Sequence, residues 1–240
     1  MATIQFEKDG FTIWVTGMSG SGKSTLAAQL GQRLRGVGRP VEILDADELG
    51  KYNLSVDLNA SKDQRNADVR RLGFLARLLS RNGVVTIVAS TSPYRESRDQ
   101  NRKEIGRFVE VFADAPVETL IARDPRGYYK KALSGELQNF IGITAPYEPP
   151  LHAEVTVKTH SEKVDQSVQQ VLQMLLDLGY LKPAEVSAMI GQKARRRPIE
   201  RKRHSRPARA TRAAVAKRAQ VKPERKAHRP AKSSGRRAKR

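Results

Sequence analysis

Residues 17–25 read Gly-Met-Ser-Gly-Ser-Gly-Lys-Ser-Thr and fit the spacing Gly-x-x-x-x-Gly-Lys-Ser/Thr from Gly17 to Ser24. Phosphate binding is the chemistry this stretch can do. Gly17, Gly20 and Gly22 let backbone N–H groups close around an anion with no Cβ in the way. Lys23 supplies a point charge for the β- and γ-phosphates of a nucleotide, and Ser24 offers a hydroxyl to Mg²⁺. Met18, Ser19, Ser21 and Thr25 fill out the loop, so residues 17–25 form the expected ATP-binding segment. The flanks agree: Phe11–Val15 is an apolar strand candidate and Leu26–Leu34 an amphipathic helix, so the loop opens at a helix N-terminus. A loop alone identifies a nucleotide and leaves the reaction open.

Phosphoryl transfer also needs a group to orient or deprotonate the acceptor, and positive charge near the transferring group. Asp45 and Asp47 follow the strand candidate Val41–Leu44. A parallel sheet binds ligands at the carboxyl edge of its strands, where both acids should emerge. Spacing of two in extended chain puts the carboxylates on one side; the bland alternative is a turn with helix-capping acids. Ser90-Thr91-Ser92-Pro93-Tyr94-Arg95 follows the next strand candidate at the same edge. Ser92 there is a ligand contact or a cap for the following helix. Arg123 and Arg126 open a long Gly/Pro/Lys-rich excursion over residues 124–150, read as a lid, and either guanidinium could clamp phosphate or stack on a base. On the helix 63–81, Arg70 and Arg71 diverge by about 100°, so Arg65 at its start is the better candidate for the site. The four histidines show no metal-ligand spacing.

The elements that must position these residues alternate. Strand signals fall at 12–15, 41–44, 84–89, 108–113 and 154–157. Helical signals fall at 63–81, 95–105, 117–123 and 164–178, the last closing the domain. Nearly all-apolar strands alternating with helices imply an α/β fold with a parallel sheet covered on both faces.

Composition separates an appendage from this domain. Residues 193–240 hold 21 Lys/Arg and 2 Glu, whereas the other 192 residues hold 24 Lys/Arg and 23 Asp/Glu. Nearly all of the net +20 therefore sits in the last fifth of the chain. That segment has no Phe, Tyr or Trp and is expected to be a disordered basic tail. Block charge of this kind is read as an interaction arm, with nucleic acid the expected partner through sequence-blind phosphate contacts. The expected domains are 1–181, a kinase-like domain, and 182–240, linker and tail. The chain has no cysteine, which excludes disulfides and thiolate chemistry, and no apolar run approaches a membrane span. A cytoplasmic location follows as an expectation.

Several short strings, in order and spacing, resemble the adenylylsulfate (APS) kinase family from about residue 10 to 159. They are Phe11–Leu26, Leu44–Asp47, Ser92-Pro93-Tyr94-Arg95, Ala122–Gly127, Tyr129-Lys130-Lys131-Ala132, Gly135-Glu136, Asn139-Phe140 and Pro146-Tyr147-Glu148. The resemblance implies a P-loop NTPase-type sheet and transfer of the ATP γ-phosphate to the 3′-hydroxyl of adenylylsulfate, with Mg²⁺ and as a homodimer. It implies that Lys23, Asp45 and Asp47 are catalytic, with Ser92 at a position described in the family as a phosphoserine. It also implies that Arg65, Thr91, Ser92, Arg126, Asn139 and Phe140 hold the acceptor. Departures cluster on the acceptor side. Gly50 stands where the family has an arginine, Asn59-Ala60 where it has glycine and an aromatic, and Asp68 where it has an asparagine. Ser90-Thr91 replaces Phe-Ile, and Thr144 an aspartate. Loss of stacking and charge-paired contacts would weaken acceptor binding. A related kinase acting on another nucleotide or a nucleic-acid end is the alternative reading.

Overall fold

The computed structural model describes residues 10–52 and 58–190. Five parallel strands form one sheet in the order β2-β3-β1-β4-β5: β1 (Thr12–Thr16), β2 (Val41–Asp45), β3 (Val85–Ala89), β4 (Phe108–Asp114) and β5 (Val155–Lys158). All five residues of the central β1 are buried. Its side chains alternate between two cores, as a strand's period of two requires. Ile13 and Val15 enter one hydrophobic cluster with Val85, Ile87, Val109 and Val111, while Trp14 enters the opposite one with Val88 and Phe108.

Helices cover both faces. On the first lie α1 (Lys23–Gly36), α7 (Val164–Asp177) and α8 (Pro183–Ile190), which contribute Leu30, Leu34, Leu172, Leu175 and Met189. On the second, α3 (Lys62–Ser80) supplies Val69, Leu72 and Ala76, and α4 (Arg95–Ile105) adds Ile105. The start of α3 is fixed by a capping box in which Ser61 and Gln64 exchange hydrogen bonds with each other's backbone.

Two expectations need correction. First, α7 does not close the domain. The chain continues into α8, whose Val186 and Met189 are buried in the first core, so packing runs past the boundary expected at 181. Second, β2 is not a buried apolar strand. It lies at the sheet edge, and Leu44 alone of its five residues is buried. The excursion 124–150, read as a lid, has structure of its own. It contains α6 (Tyr128–Leu133) and, with α5 (Val117–Arg123), builds a third small core of Leu120, Tyr129, Ala132 and Phe140. Apolar residues too few for a long periodic run still find one another in space. The basic tail, 193–240, lies outside the described residues.

Candidate active site

Every singled-out segment except the lid starts at the C-terminal edge of a strand. The loop 17–22 joins β1 to α1. Gly17 adopts φ +148°, and a Cβ there would sit 2.6 Å from the Ala113 carbonyl and 2.7 Å from Ser21 Oγ. Gly22 caps α1 in the left-handed region (φ +90°), and no side chain satisfies the helix's first N–H groups. Those free N–H groups and the positive end of the helix dipole make an anion site. Ser24 and Thr25 are exposed on the first turn, while Ser21 is buried with its hydroxyl unpartnered. An exposed hydroxyl beside uncapped amides and an ammonium fits a magnesium–nucleotide phosphate.

Lys23 Nζ folds across this loop and donates to the Met18 carbonyl (2.8 Å). Burial pushes the Lys23 ammonium down from 10.5 to about 8; the Asp47 and Asp45 carboxylates oppose this, and Arg126 adds to it. Ser19 is tied to the third core, because Tyr129 Oη donates to its carbonyl (2.7 Å). Arg123 is exposed and donates to the Thr159 carbonyl (2.8 Å), next to Gly22.

The acids are arranged differently from the sequence expectation. Asp45 ends β2, but Asp47 sits in a short helix, α2 (Ala46–Leu49), not in extended chain. Asp45 caps that helix, its Oδ1 accepting from the Asp47 amide (2.9 Å). Capping and proximity to the lysine therefore coexist. The Asp47 carboxylate reaches the lid, where Arg126 Nη1 lies 2.8 Å from its Oδ2. Arg126 also stacks its guanidinium 5.1 Å from the Tyr128 ring centre.

Ser92 does not cap α4. The N-cap is Tyr94 without a side-chain bond, and Glu148 Oε2 accepts from the Arg95 amide (2.9 Å). Ser92 is instead buried with φ +34°, a conformation that L-residues rarely adopt. Its Oγ accepts from Trp14 Nε1 (3.0 Å) and donates to Thr16 Oγ1 (2.9 Å). Thr16 donates to the Thr91 carbonyl (3.0 Å) and lies 3.0 Å from Tyr147 Oη.

Behind Ser92 lies a network that sequence reasoning missed. Arg98, 1% exposed, donates to Glu110 Oε1 (2.7 Å), to the Ser92 carbonyl (2.5 Å) and to the Glu148 carbonyl (2.7 Å). Arg102 bonds both Glu110 and Glu154, and Glu154 Oε2 accepts from the Glu110 amide (2.6 Å). Two signals were legible. Glu110 interrupts an apolar strand, and Arg98 and Arg102 are four apart on α4, so they share a face.

Beside Asp47 opens a cavity of about 290 Å³, lined by Asp47, Arg65, Asp68, Thr91, Ser92 and Tyr128 among others. Arg65 is buried, whereas Arg70 and Arg71 point outward. The Arg65 guanidinium binds backbone: it donates to the Ala60 (3.1 Å), Leu58 and Asn139 (3.0 Å) carbonyls. Asn139 Nδ2 donates to the Asn59 carbonyl (2.9 Å), closing the cavity wall against the lid. Phe140 is 2% exposed, edge-on to Tyr129 at 4.9 Å, so it packs in the third core here. Thr144 Oγ1 accepts from the Phe140 amide (2.9 Å), and Asn59 Oδ1 accepts from the Gln138 amide (3.1 Å). Two of the departing residues are thus spent on shaping the lid. Asp68 is buried in the cavity lining, whereas the exposed Lys51, Lys130 and Lys131 are not among its lining residues. Among the described residues no cluster of acids or histidines has metal-site geometry, and no helix is long and apolar enough to cross a membrane.

Comparison with known proteins agrees with this layout. The profile of the adenylylsulphate kinase family matches residues 9–158. An adenylyl-sulfate kinase of Rippkaea orientalis is 47% identical over 181 residues, covering 75% of this chain and 99% of its own. One from Gloeothece citriformis is 48% identical over 173 residues, covering 72% and 98%. Among solved structures, the Mycobacterium tuberculosis APS kinase in complex with AMPPNP and APS superposes with a TM-score of 0.66 at 36% identity, covering 70% of this chain and 98% of that one.

Proposed function

The chain belongs to the adenylylsulphate kinase family, and on that premise we propose that it transfers the γ-phosphate of ATP to the 3′-hydroxyl of adenylylsulfate, the phosphorylation step of sulfate activation. One observation supports this above the others: Asp47 lies between the phosphate-loop lysine, whose charge it stabilises, and a cavity large enough for part of a nucleotide.

In this reading the acceptor hydroxyl oxygen attacks the γ-phosphorus while the bond from that phosphorus to the β,γ-bridging oxygen breaks, releasing ADP. The hydroxyl proton passes to Asp47. Lys23 leaves the Met18 carbonyl for the β- and γ-phosphates and stabilises charge as it builds on them. Ser24 would hold magnesium, with Asp45 beside it, and the ion would supply charge neutralisation. Arg126, which holds Asp47 at 2.8 Å, gives up that carboxylate as the acceptor's anionic group arrives. Arg123 flanks the donor side. Arg65 and Asn139 shape the acceptor wall through backbone contacts, with Thr91 and Phe140 beside them. Ser92 positions the segment 91–93, because its hydroxyl is committed to Trp14 and Thr16. The protein acts as a homodimer, and its basic tail binds nucleic acid through phosphate contacts.

Purified protein with ATP–Mg²⁺, offered adenylylsulfate beside other nucleotides and oligonucleotide ends, tests the assignment. A 3′-phosphorylated adenylylsulfate is the expected product. If adenylylsulfate is ignored while another acceptor is used, the acceptor is wrong and the altered lining with Asp68 is its cause.

A further inference from the structure

The outward face of α3 has no part in the site. Positions 70, 74, 77 and 81 fall within an arc of about 60° at 100° per residue. They carry Arg70, Phe74, Arg77 and the helix-ending Arg81, all exposed, with Phe74 62% exposed and Arg71 beside them. Among the described residues none of these four arginines makes an ion pair or a side-chain hydrogen bond. An ordinary solvated helix face alternates its charges, since like charges four apart, such as Arg77 and Arg81, weaken a helix. This face has no acid after Asp63 and places its one large apolar side chain among the cations. The neighbouring α4 packs against the other flank, where Asn101 Nδ2 donates to the Val69 carbonyl (2.9 Å), and its exposed charges are mixed: Glu96, Asp99, Lys103 and Glu104. The stripe runs away from the acceptor cavity toward the opposite edge of the sheet, where Gly10 abuts the Ser80 carbonyl.

We propose that this face binds single-stranded nucleic acid. Arg70, Arg77 and Arg81 contact phosphates about one helical turn or two apart, and Phe74 stacks on a base. Charge complementarity selects a polyanion, and the unburied ring among guanidinium groups selects one with exposed bases over a duplex. The remainder of the chain's excess charge, 21 Lys/Arg against 2 Glu in residues 193–240, calls for the same class of partner. That segment has no Phe, Tyr or Trp, so the large stacking ring is Phe74.

Full-length protein is titrated into a labelled oligothymidylate across a range of salt, with fluorescence anisotropy as the readout. Phe74→Ala should weaken binding by about tenfold at fixed salt and leave the salt dependence unchanged. The Arg70→Ala/Arg77→Ala variant should lower the slope of log affinity against log salt by about 1.4, two phosphate contacts' worth on a single strand. Heparin, a polyanion without bases, should bind wild type and Phe74→Ala equally. Adenylylsulfate phosphorylation should be the same in all three proteins, so the kinase reading stands or falls separately. An unchanged affinity for Phe74→Ala, an unchanged slope for the arginine variant, or an equal loss on heparin would overturn the proposal.

Discussion

Lys23 makes nucleotide affinity depend on pH above neutrality, in a direction and size that the structure sets. Lys23 is half-buried with its ammonium beside the Met18 carbonyl, and burial lowers its pKa to about 8 from 10.5. Bound phosphates restore the charged form, so the free protein's pKa lies below the complex's and binding takes up protons. With only the ammonium form competent, the association constant falls about twofold at pH 8 and about tenfold at pH 9 relative to its plateau at lower pH. Beyond that the loss is tenfold, or about 1.4 kcal/mol, per pH unit until the complex itself titrates. Isothermal titration with a non-hydrolysable ATP analogue, repeated in buffers of different ionisation enthalpy, reads both affinity and proton uptake. Uptake should be about half a proton at pH 8 and approach one at pH 9. Lys23→Met removes the titrating group and serves as the control for the nucleotide's own ionisation; its weaker binding should be flat over this range. Wild-type affinity that is equally flat from pH 7 to pH 9, with no proton uptake, refutes the assignment of a depressed Lys23 facing phosphate.

Asp47→Asn should abolish transfer while sparing nucleotide binding, since the amide cannot take the hydroxyl proton; it should barely change thermal stability, because the pair with Arg126 is largely exposed (57% and 39%). Unimpaired turnover removes Asp47 as the base. Glu110→Gln strands the 1%-exposed Arg98 without its counter-charge and should cost about 3–5 kcal/mol, read by denaturant unfolding. A loss below 1 kcal/mol would mean that water already screens the pair. Ser92→Ala loses the bonds to Trp14 and Thr16 and should destabilise by about 1–3 kcal/mol with turnover reduced but present; a folded variant with no turnover at all would restore a covalent role for the serine. Deleting residues 193–240 should leave turnover of a small acceptor largely unchanged, and a large loss without unfolding would place the tail in the catalytic unit.

What could be read directly from the chain was local. Gly17 to Thr25 works through consecutive backbone amides, so type and spacing alone define it, and the start of α1 follows from the same residues. The strands around β1 were legible because a buried strand must be apolar along its whole length. That Arg70 and Arg71 could not both face the site followed from helical period. What failed depended on partners distant in sequence. Asp47 was read as extended, with helix-capping acids as the alternative, because local sequence does not decide between the two. Ser92 stayed open between a ligand contact and a cap because its partners, Trp14 and Thr16, lie more than seventy residues away. Glu110 marks an ion-pair network only when α4 lies across β4.

The sequence by itself determined the phosphate-binding half of this protein, since that half is one unbroken segment whose chemistry is its backbone. Tertiary structure alone decided the acceptor half. There Arg126 meets Asp47, Arg65 meets Asn139 and Arg98 holds Ser92, each across at least six residues of chain and most across fifty or more. Side chains so separated acquire a meaning only once the sheet has brought its strand ends to one edge.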